Sequence, residues 1–102
     1  MRTRSLDDRI TVTPGVRSGK PRIAGRRITV SDVAIWHERL GMSADEIADS
    51  YDLELADIHA ALAYYFTHRA LIDESIREAQ AFADALERSR KSPLAQKLEG
   101  AA

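Results

Sequence analysis

Helix-stop and helix-start signals divide the middle of the chain into short helices, and they constrain the fold more than any other feature of the sequence. Gly41 follows a stretch of helically spaced apolar residues that begins after Ser31, and glycine is typical of the position just past a helix end. Ser43 and Glu46 then form the pattern of a capping box, which starts a second helix. A third helix is predicted from about Ala56 to Arg69. Three short helices in succession can bury their apolar sides only against one another or against a partner.

The second and third predicted helices have the apolar pattern of a helix-turn-helix. A small residue, Ala48, lies where the two helices would touch, and Tyr51 and Leu53 bracket the turn. Ile58 would face back from the third helix. Asp52 takes the place of the glycine often found in such a turn, and aspartate tolerates the left-handed conformation better than most residues. An ordinary three-helix cluster that binds no DNA has the same pattern, so both interpretations stay open.

The third helix has its own predicted buried stripe. Its members are the apolar residues Ile58, Leu62, Tyr65 and Phe66. This stripe would pack against the two preceding helices.

Short extended segments precede the helices. Residues 1–9 are polar, so we expect them to be flexible. Ile10–Val12 alternates apolar and polar residues with β preference and predicts a short strand. Arg22–Val30 predicts two extended pieces joined at Ala24-Gly25. Together these segments predict a short β-hairpin or β-arm ahead of the helical body.

A fourth helix is predicted from about Ile72, because apolar residues recur there at steps of three and four. The residues of this apolar face are Ile72, Ile76, Ala79, Phe82, Ala83 and Leu86. The helix should fray near Ser89–Lys91, since the residues before Pro93 are pushed out of the α region. Such a face must be buried against the body, a sister subunit or another protein.

The predicted fold is therefore mainly α. An N-terminal short β-hairpin or arm precedes a three-helix body with a helix-turn-helix, and a C-terminal amphipathic helix follows. The predicted organisation is a flexible N-terminus over residues 1–9, a β-arm plus helix-turn-helix domain over residues 10–71, and a C-terminal helix and tail over residues 72–102.

Composition excludes several classes of function. The chain has no cysteine, so it forms neither disulfides nor thiolate metal sites, which fits a cytoplasmic protein. No apolar run approaches the roughly 20 residues that span a bilayer, so we expect no membrane association. The three histidines match no spacing of metal ligands, and the paired carboxylates lie at predicted helix starts. We therefore expect no catalytic residues, no metal and no cofactor.

Charge is distributed unevenly along the chain. Residues 1–30 carry eight Lys or Arg against two Asp, which gives +6, whereas residues 31–75 carry two Arg against ten Asp or Glu, which gives −8. Such asymmetry is typical of a basic arm that binds nucleic acid. Pairing of the arm with the acidic body explains the same asymmetry.

The candidate DNA-binding residues come mainly from this basic arm. They are Arg17, Lys20, Arg22, Arg26, Arg27 and, on the third helix, His59. The third helix itself predicts weak base recognition, since the positions expected to face a major groove hold no Arg, Lys, Asn or Gln. Those positions are Glu54, Leu55, Ala56, His59, Ala60 and Ala63.

Three segments together resemble a known family. Gly19–Val30, Gly41–Ile47 and Leu55–Leu62 look like the bacterial domain of unknown function family number 433, and the match covers roughly residues 10–68. The sequence departs from the family pattern at Arg26, where threonine is usual, and in its long extension beyond residue 75.

The resemblance implies a function that composition and spacing do not. Members similar to this chain are helix-turn-helix proteins, often assigned as antitoxins partnered with PIN-like ribonuclease toxins. It implies that the chain neutralises such a toxin and binds its own operator DNA, as a homodimer that regulates transcription. The alternative is a protein-interaction or assembly module with no DNA binding. The candidate residues for toxin binding or dimerisation are the apolar ones of the C-terminal helix and tail: Ile76, Phe82, Leu86, Leu94 and Leu98.

Overall fold

The computed structural model describes residues 6–90 of the chain. Its elements, in chain order, are helix α1 (Leu6–Arg9), strand β1 (Ile10–Thr11), a 3-10 turn (Arg17–Gly19), strand β2 (Arg22–Ile23), helix α2 (Val30–Ala34), a π-helical turn (Ile35–Arg39), and helices α3 (Ala44–Ser50), α4 (Leu55–Thr67) and α5 (Arg69–Arg90). The mainly α fold with a short N-terminal β-hairpin, a three-helix body and a C-terminal helix is confirmed.

The N-terminal strands form a minimal antiparallel pair. Ile10 pairs with Ile23 and Thr11 pairs with Arg22. Val12, which the alternation placed in the strand, lies beyond it and is exposed. The prediction of a flexible segment over residues 1–9 is wrong for residues 6–9, because these form α1 and lead directly into β1.

A tight reversal after β2 brings the chain back to start the first helix of the body. The Ile23 amide donates to the Ile28 carbonyl (2.9 Å), and Arg22 forms a bridge with Thr29. The second extended piece therefore ends at Thr29. Val30, predicted to be extended, is instead the first residue of α2. Thr29 provides the N-cap in place of Ser31 because its hydroxyl and Asp32 exchange capping bonds of 3.0 Å.

The first helix of the body ends in a wider turn than an α-helix. The Leu40 amide donates to the Ile35 carbonyl (3.0 Å), a five-residue step that the spacing of the sequence did not predict. Gly41 then reverses the chain with a φ of +73°, as a residue past a helix end commonly does. Within this turn, Trp36 stacks on Tyr51 with ring centroids 4.0 Å apart.

Helix α3 begins with the side-chain cap that its sequence favours, and a left-handed residue forms the turn that follows it. The Ser43 hydroxyl accepts from the Glu46 amide (3.1 Å), and the Glu46 carboxylate accepts from the Ser43 amide (3.4 Å), so the predicted capping box is confirmed. Asp52 has a φ of +54°, which is the left-handed conformation expected in the turn.

The core of the body consists of aliphatic side chains from β2, α2, α3 and α4. Its most completely buried apolar members are Ile23, Val30, Val33, Ile47 and Ile58. Leu62 and Tyr65 are buried as predicted, but Phe66 is half exposed and does not belong to the core. Ala60, which was expected to face a DNA groove, is buried.

Helix α5 begins at Arg69, three residues before the predicted start at Ile72, and is α-helical as far as Arg90. The chain divides into two compact units, and the division falls between Ile72 and Asp73, within this helix. Among the described residues, no helix is both long and apolar enough to cross a membrane.

Candidate interaction surfaces

Two of the predicted DNA-binding arginines hold the arm together instead of projecting into solvent. Arg22 donates to the Arg26 carbonyl (2.7 Å) and to the Thr13 hydroxyl (3.1 Å). Arg17 donates to the Arg27 carbonyl (2.7 Å) and lies 3.4 Å from an Asp32 carboxylate oxygen. Both guanidinium groups therefore stabilise the loops around β2, and binding a phosphate would compete with these contacts.

Arg26 binds the turn between α3 and α4. Its two terminal nitrogens donate to the carbonyls of Tyr51 (2.7 Å) and Asp52 (2.9 Å). Carbonyls at the end of a helix have no partner within the helix, and a cation near them also interacts favourably with the helix dipole. At the one position where the arm departs from the resembled family pattern, the side chain thus caps α3 and ties the arm to the body.

Lys20 and Arg27 differ from the other basic residues of the arm. Within residues 6–90, neither side chain forms a hydrogen bond or ion pair, and Arg27 is exposed. His59, the sixth predicted DNA-binding residue, is exposed on α4. The structure thus leaves Arg27 and His59 exposed and Lys20 half-buried, whereas Arg17, Arg22 and Arg26 have internal structural contacts.

Arg9 is the important residue that sequence reasoning missed. Only 8% exposed, it donates to the carboxylates of Glu54 (2.8 Å) and Asp57 (2.9 Å) at the start of α4, and its carbonyl accepts from the Ala24 amide (2.8 Å). These carboxylates raise the pKa of the Arg9 guanidinium above its ordinary value, chiefly through the two hydrogen bonds. The acidic start of α4, which alone would repel phosphate, is thus partly neutralised from α1.

The solvent-facing side of α4 carries no charged residue. We define the outer face of α4 as Leu55, His59, Ala63 and Phe66, which follow one another at steps of three and four and are all exposed. Leu55 is 41% exposed and Phe66 50% exposed. Exposed helix faces are normally polar or charged. An exposed face without charge, such as this one, is available for contact with another apolar surface.

The apolar stripe of α5 changes from buried to exposed along the helix. Ile72 and Ile76 are buried, whereas every residue from Arg77 to Arg90 is exposed. Phe82 is 67% exposed and Leu86 52% exposed. Ile76, predicted to bind a toxin or a sister subunit, is thus buried within the chain and does not belong to the exposed part of the stripe. Leu94 and Leu98 lie outside the described residues.

We define the distal face of α5 as Ala79, Phe82, Ala83 and Leu86. These residues share one side of the helix at steps of three and four. The opposite side is polar: Arg77 pairs with Glu74, and Gln80 donates to Asp84 (3.0 Å). The helix is therefore amphipathic over a stretch in which its apolar side is open to solvent.

Comparison with known proteins identifies the family. The model of the family described as protein of unknown function DUF433 matches residues 10–65, which is more than half of the chain. Among solved structures, the chain is similar to a DUF433 member protein from Anabaena variabilis, with a TM-score of 0.64 and 33% sequence identity over 71% of each chain. No curated protein matches the chain. The chain therefore belongs to the DUF433 family.

Proposed function

We propose that the chain is a non-enzymatic, antitoxin-like protein of the cytoplasm that binds and masks a partner nuclease with the distal face of α5. One observation carries the proposal: Phe82 and Leu86, two large apolar side chains on one side of a regular helix, are more than half exposed. Amphipathic helices that present such a face commonly bind in an apolar groove of another protein.

The free energy available from this face supports a stable complex. Burying a phenylalanine or leucine side chain contributes about 1.5–3 kcal/mol. Ala79 and Ala83 share this face with Phe82 and Leu86 and allow the partner to approach the helix closely. Phe82 and Leu86 would then act as the anchors that dominate binding, as a few residues do in most interfaces.

The choice of a nuclease as the partner rests on the family resemblance, which implies a PIN-like ribonuclease. The runner-up is a protein-interaction or assembly module with no DNA binding. The reading frame next to the gene separates the two, because antitoxins are encoded beside their toxins. A neighbouring frame for a small PIN-like nuclease is expected, and a neighbouring frame of another kind favours the runner-up.

The proposal is tested by ending the chain after Ala79. The shortened chain loses the distal face, so we expect it to leave the nuclease active on RNA under conditions in which the full chain inhibits it. A chain that ends at Arg90 is the matched control, because it keeps the whole of α5 and lacks only residues 91–102. Inhibition by the chain ending at Ala79, or loss of inhibition in both shortened chains, would contradict the proposal.

Operator binding is a second candidate function. The observation that favours it is that the Lys20 and Arg27 side chains form no hydrogen bond or ion pair within residues 6–90. Because these side chains have no internal role, Lys20→Ala with Arg27→Ala should weaken DNA binding at low salt and leave thermal unfolding unchanged. Arg26→Ala should do the reverse: the loss of its two bonds to the Tyr51 and Asp52 carbonyls should cost about 1 kcal/mol of unfolding free energy.

Fluorescence titration of a labelled duplex and thermal denaturation of the same variants measure both effects. DNA affinity that is the same in the Lys20→Ala, Arg27→Ala double variant as in the wild type would argue against operator binding through the arm.

A further inference from the structure

The outer face of α4 has a composition that base recognition does not explain. In a chain in which 30% of residues are charged, the face formed by Leu55, His59, Ala63 and Phe66 holds two large apolar side chains, one alanine and one histidine. Contacts to base edges come mainly from Arg, Lys, Asn and Gln, and this face contains none of them. Apolar, uncharged and exposed, it has the composition of the buried centre of a protein interface.

Opposite charges stand at the two ends of this face. Glu54, whose side chain is 73% exposed, precedes Leu55 at the start of α4. Arg9 bonds to both Glu54 and Asp57, so two carboxylates share one cation and one net negative charge remains at this end. Arg69 is exposed just beyond the end of the helix, and its guanidinium carbon lies 5.7 Å from the centre of the Phe66 ring. A surface with a negative end, an apolar middle and a positive end is complementary to itself when one copy is turned end to end.

We propose that the outer face of α4 binds the same face of a second copy of the chain in antiparallel orientation. The twofold axis passes between His59 and Ala63, so that His59 of each copy lies opposite Ala63 of the other. Glu54 of each copy then approaches Arg69 of the other, once at each end of the contact. Since the axis repeats every contact, two apolar anchors per chain give four per dimer.

The dimensions of the face suit this pairing. From Leu55 to Phe66 the helix rises about 16 Å at 1.5 Å per residue. Ala63 near the axis allows two helices to approach to about 8–10 Å. The proposed contact uses a face that is uncharged and exposed in the single chain. It does not depend on the proposed nuclease partner, since the distal face of α5 plays no part in it.

The first test measures the oligomeric state of the full chain by sedimentation equilibrium. The wild-type chain should be a dimer at tens of micromolar. Ala63→Glu should raise the dimer dissociation constant more than about tenfold, because it places a carboxylate in the apolar contact. Ala85→Glu adds the same charge to an exposed position of α5 and should leave the constant unchanged. A monomeric wild-type chain, an undisturbed Ala63→Glu dimer, or dissociation by both variants would overturn the proposal.

A second test reports orientation and does not depend on the folding of Ala63→Glu. The chain contains no cysteine, so His59→Cys and Ala63→Cys each introduce a single thiol. Antiparallel pairing predicts that mild oxidation of a mixture of the two variants gives mainly the mixed disulfide between position 59 of one chain and position 63 of the other. Parallel pairing would give each variant linked to itself, and a contact elsewhere would give no preference. Either of these results would refute the antiparallel α4 interface.

Discussion

Replacing Phe82 and Leu86 together by glutamate is expected to weaken binding of the partner nuclease more than about hundredfold, with thermal unfolding close to that of the wild type. Both side chains are mostly exposed in the free chain, so their loss removes no core contact. In the proposed complex, each substitution removes an apolar anchor and places a carboxylate in the contact. Such substitutions typically cost several kcal/mol in total, and 1.4 kcal/mol corresponds to a tenfold change in affinity.

The matched control is Ala81→Glu with Ala85→Glu. These exposed residues lie outside the distal face of α5, and the pair adds the same charge to the same helix. We expect the control to bind the nuclease within a few-fold of the wild type, measured by isothermal titration calorimetry. Equal loss of affinity in both double variants would show that charge, and not the distal face, governs binding.

Arg9→Ala is expected to have the largest effect on stability, lowering the melting temperature on the order of 10 °C. Arg9 connects α1 to the start of α4 through two carboxylates, and one of these, Asp57, has a side chain only 12% exposed. Removal of the Arg9 side chain leaves the Asp57 carboxylate without a cation in a poorly hydrated site, where an unpaired charge is costly. The Asp57 carboxylate also accepts from the Glu54 amide (3.3 Å), so the cap of α4 is disturbed as well.

The loss of stability caused by Arg9→Ala should not depend on pH near neutrality. The ordinary pKa of an arginine lies far above neutral pH, and the hydrogen bonds to Glu54 and Asp57 raise the pKa of Arg9 further, so its guanidinium is charged in both the folded and the unfolded chain near neutral pH. Arg77→Ala is the control, because Arg77 forms an exposed ion pair with Glu74 on α5, and such pairs contribute little. A melting temperature of Arg9→Ala within about 2 °C of that of Arg77→Ala would show that the buried network does not stabilise the body.

Local signals in the sequence predicted the local structure well. The capping box of Ser43 and Glu46, the turn at Gly41 and the left-handed Asp52 each depend on a few neighbouring residues, and all three are confirmed. The start of α2 was misplaced, although it too is local. Thr29 and Ser31 are both good N-caps. The backbone hydrogen bonds that Val30 and Ile23 make to neighbouring segments of the same chain select Thr29.

Features that depend on distant residues could not be predicted in this way. Arg9 contacts residues 45 and 48 positions away, and nothing around it in the sequence distinguishes it from the other arginines of the arm. Phe66 lies at a core-like spacing, but Tyr65 takes the buried position beside it. For the distal face of α5, the periodicity gave the residues correctly, because an amphipathic pattern specifies a face whether or not a partner covers it.

Hydrogen exchange of the full chain, measured with and without the nuclease, tests whether the distal face of α5 binds this partner. Residues 77–90 of α5 all have exposed side chains, so in the free chain their amides should exchange faster than those of α4. Binding through the distal face predicts marked slowing of exchange in residues 77–90, with little change in residues 17–27. Unchanged exchange in residues 77–90 of the nuclease-bound chain would contradict the account.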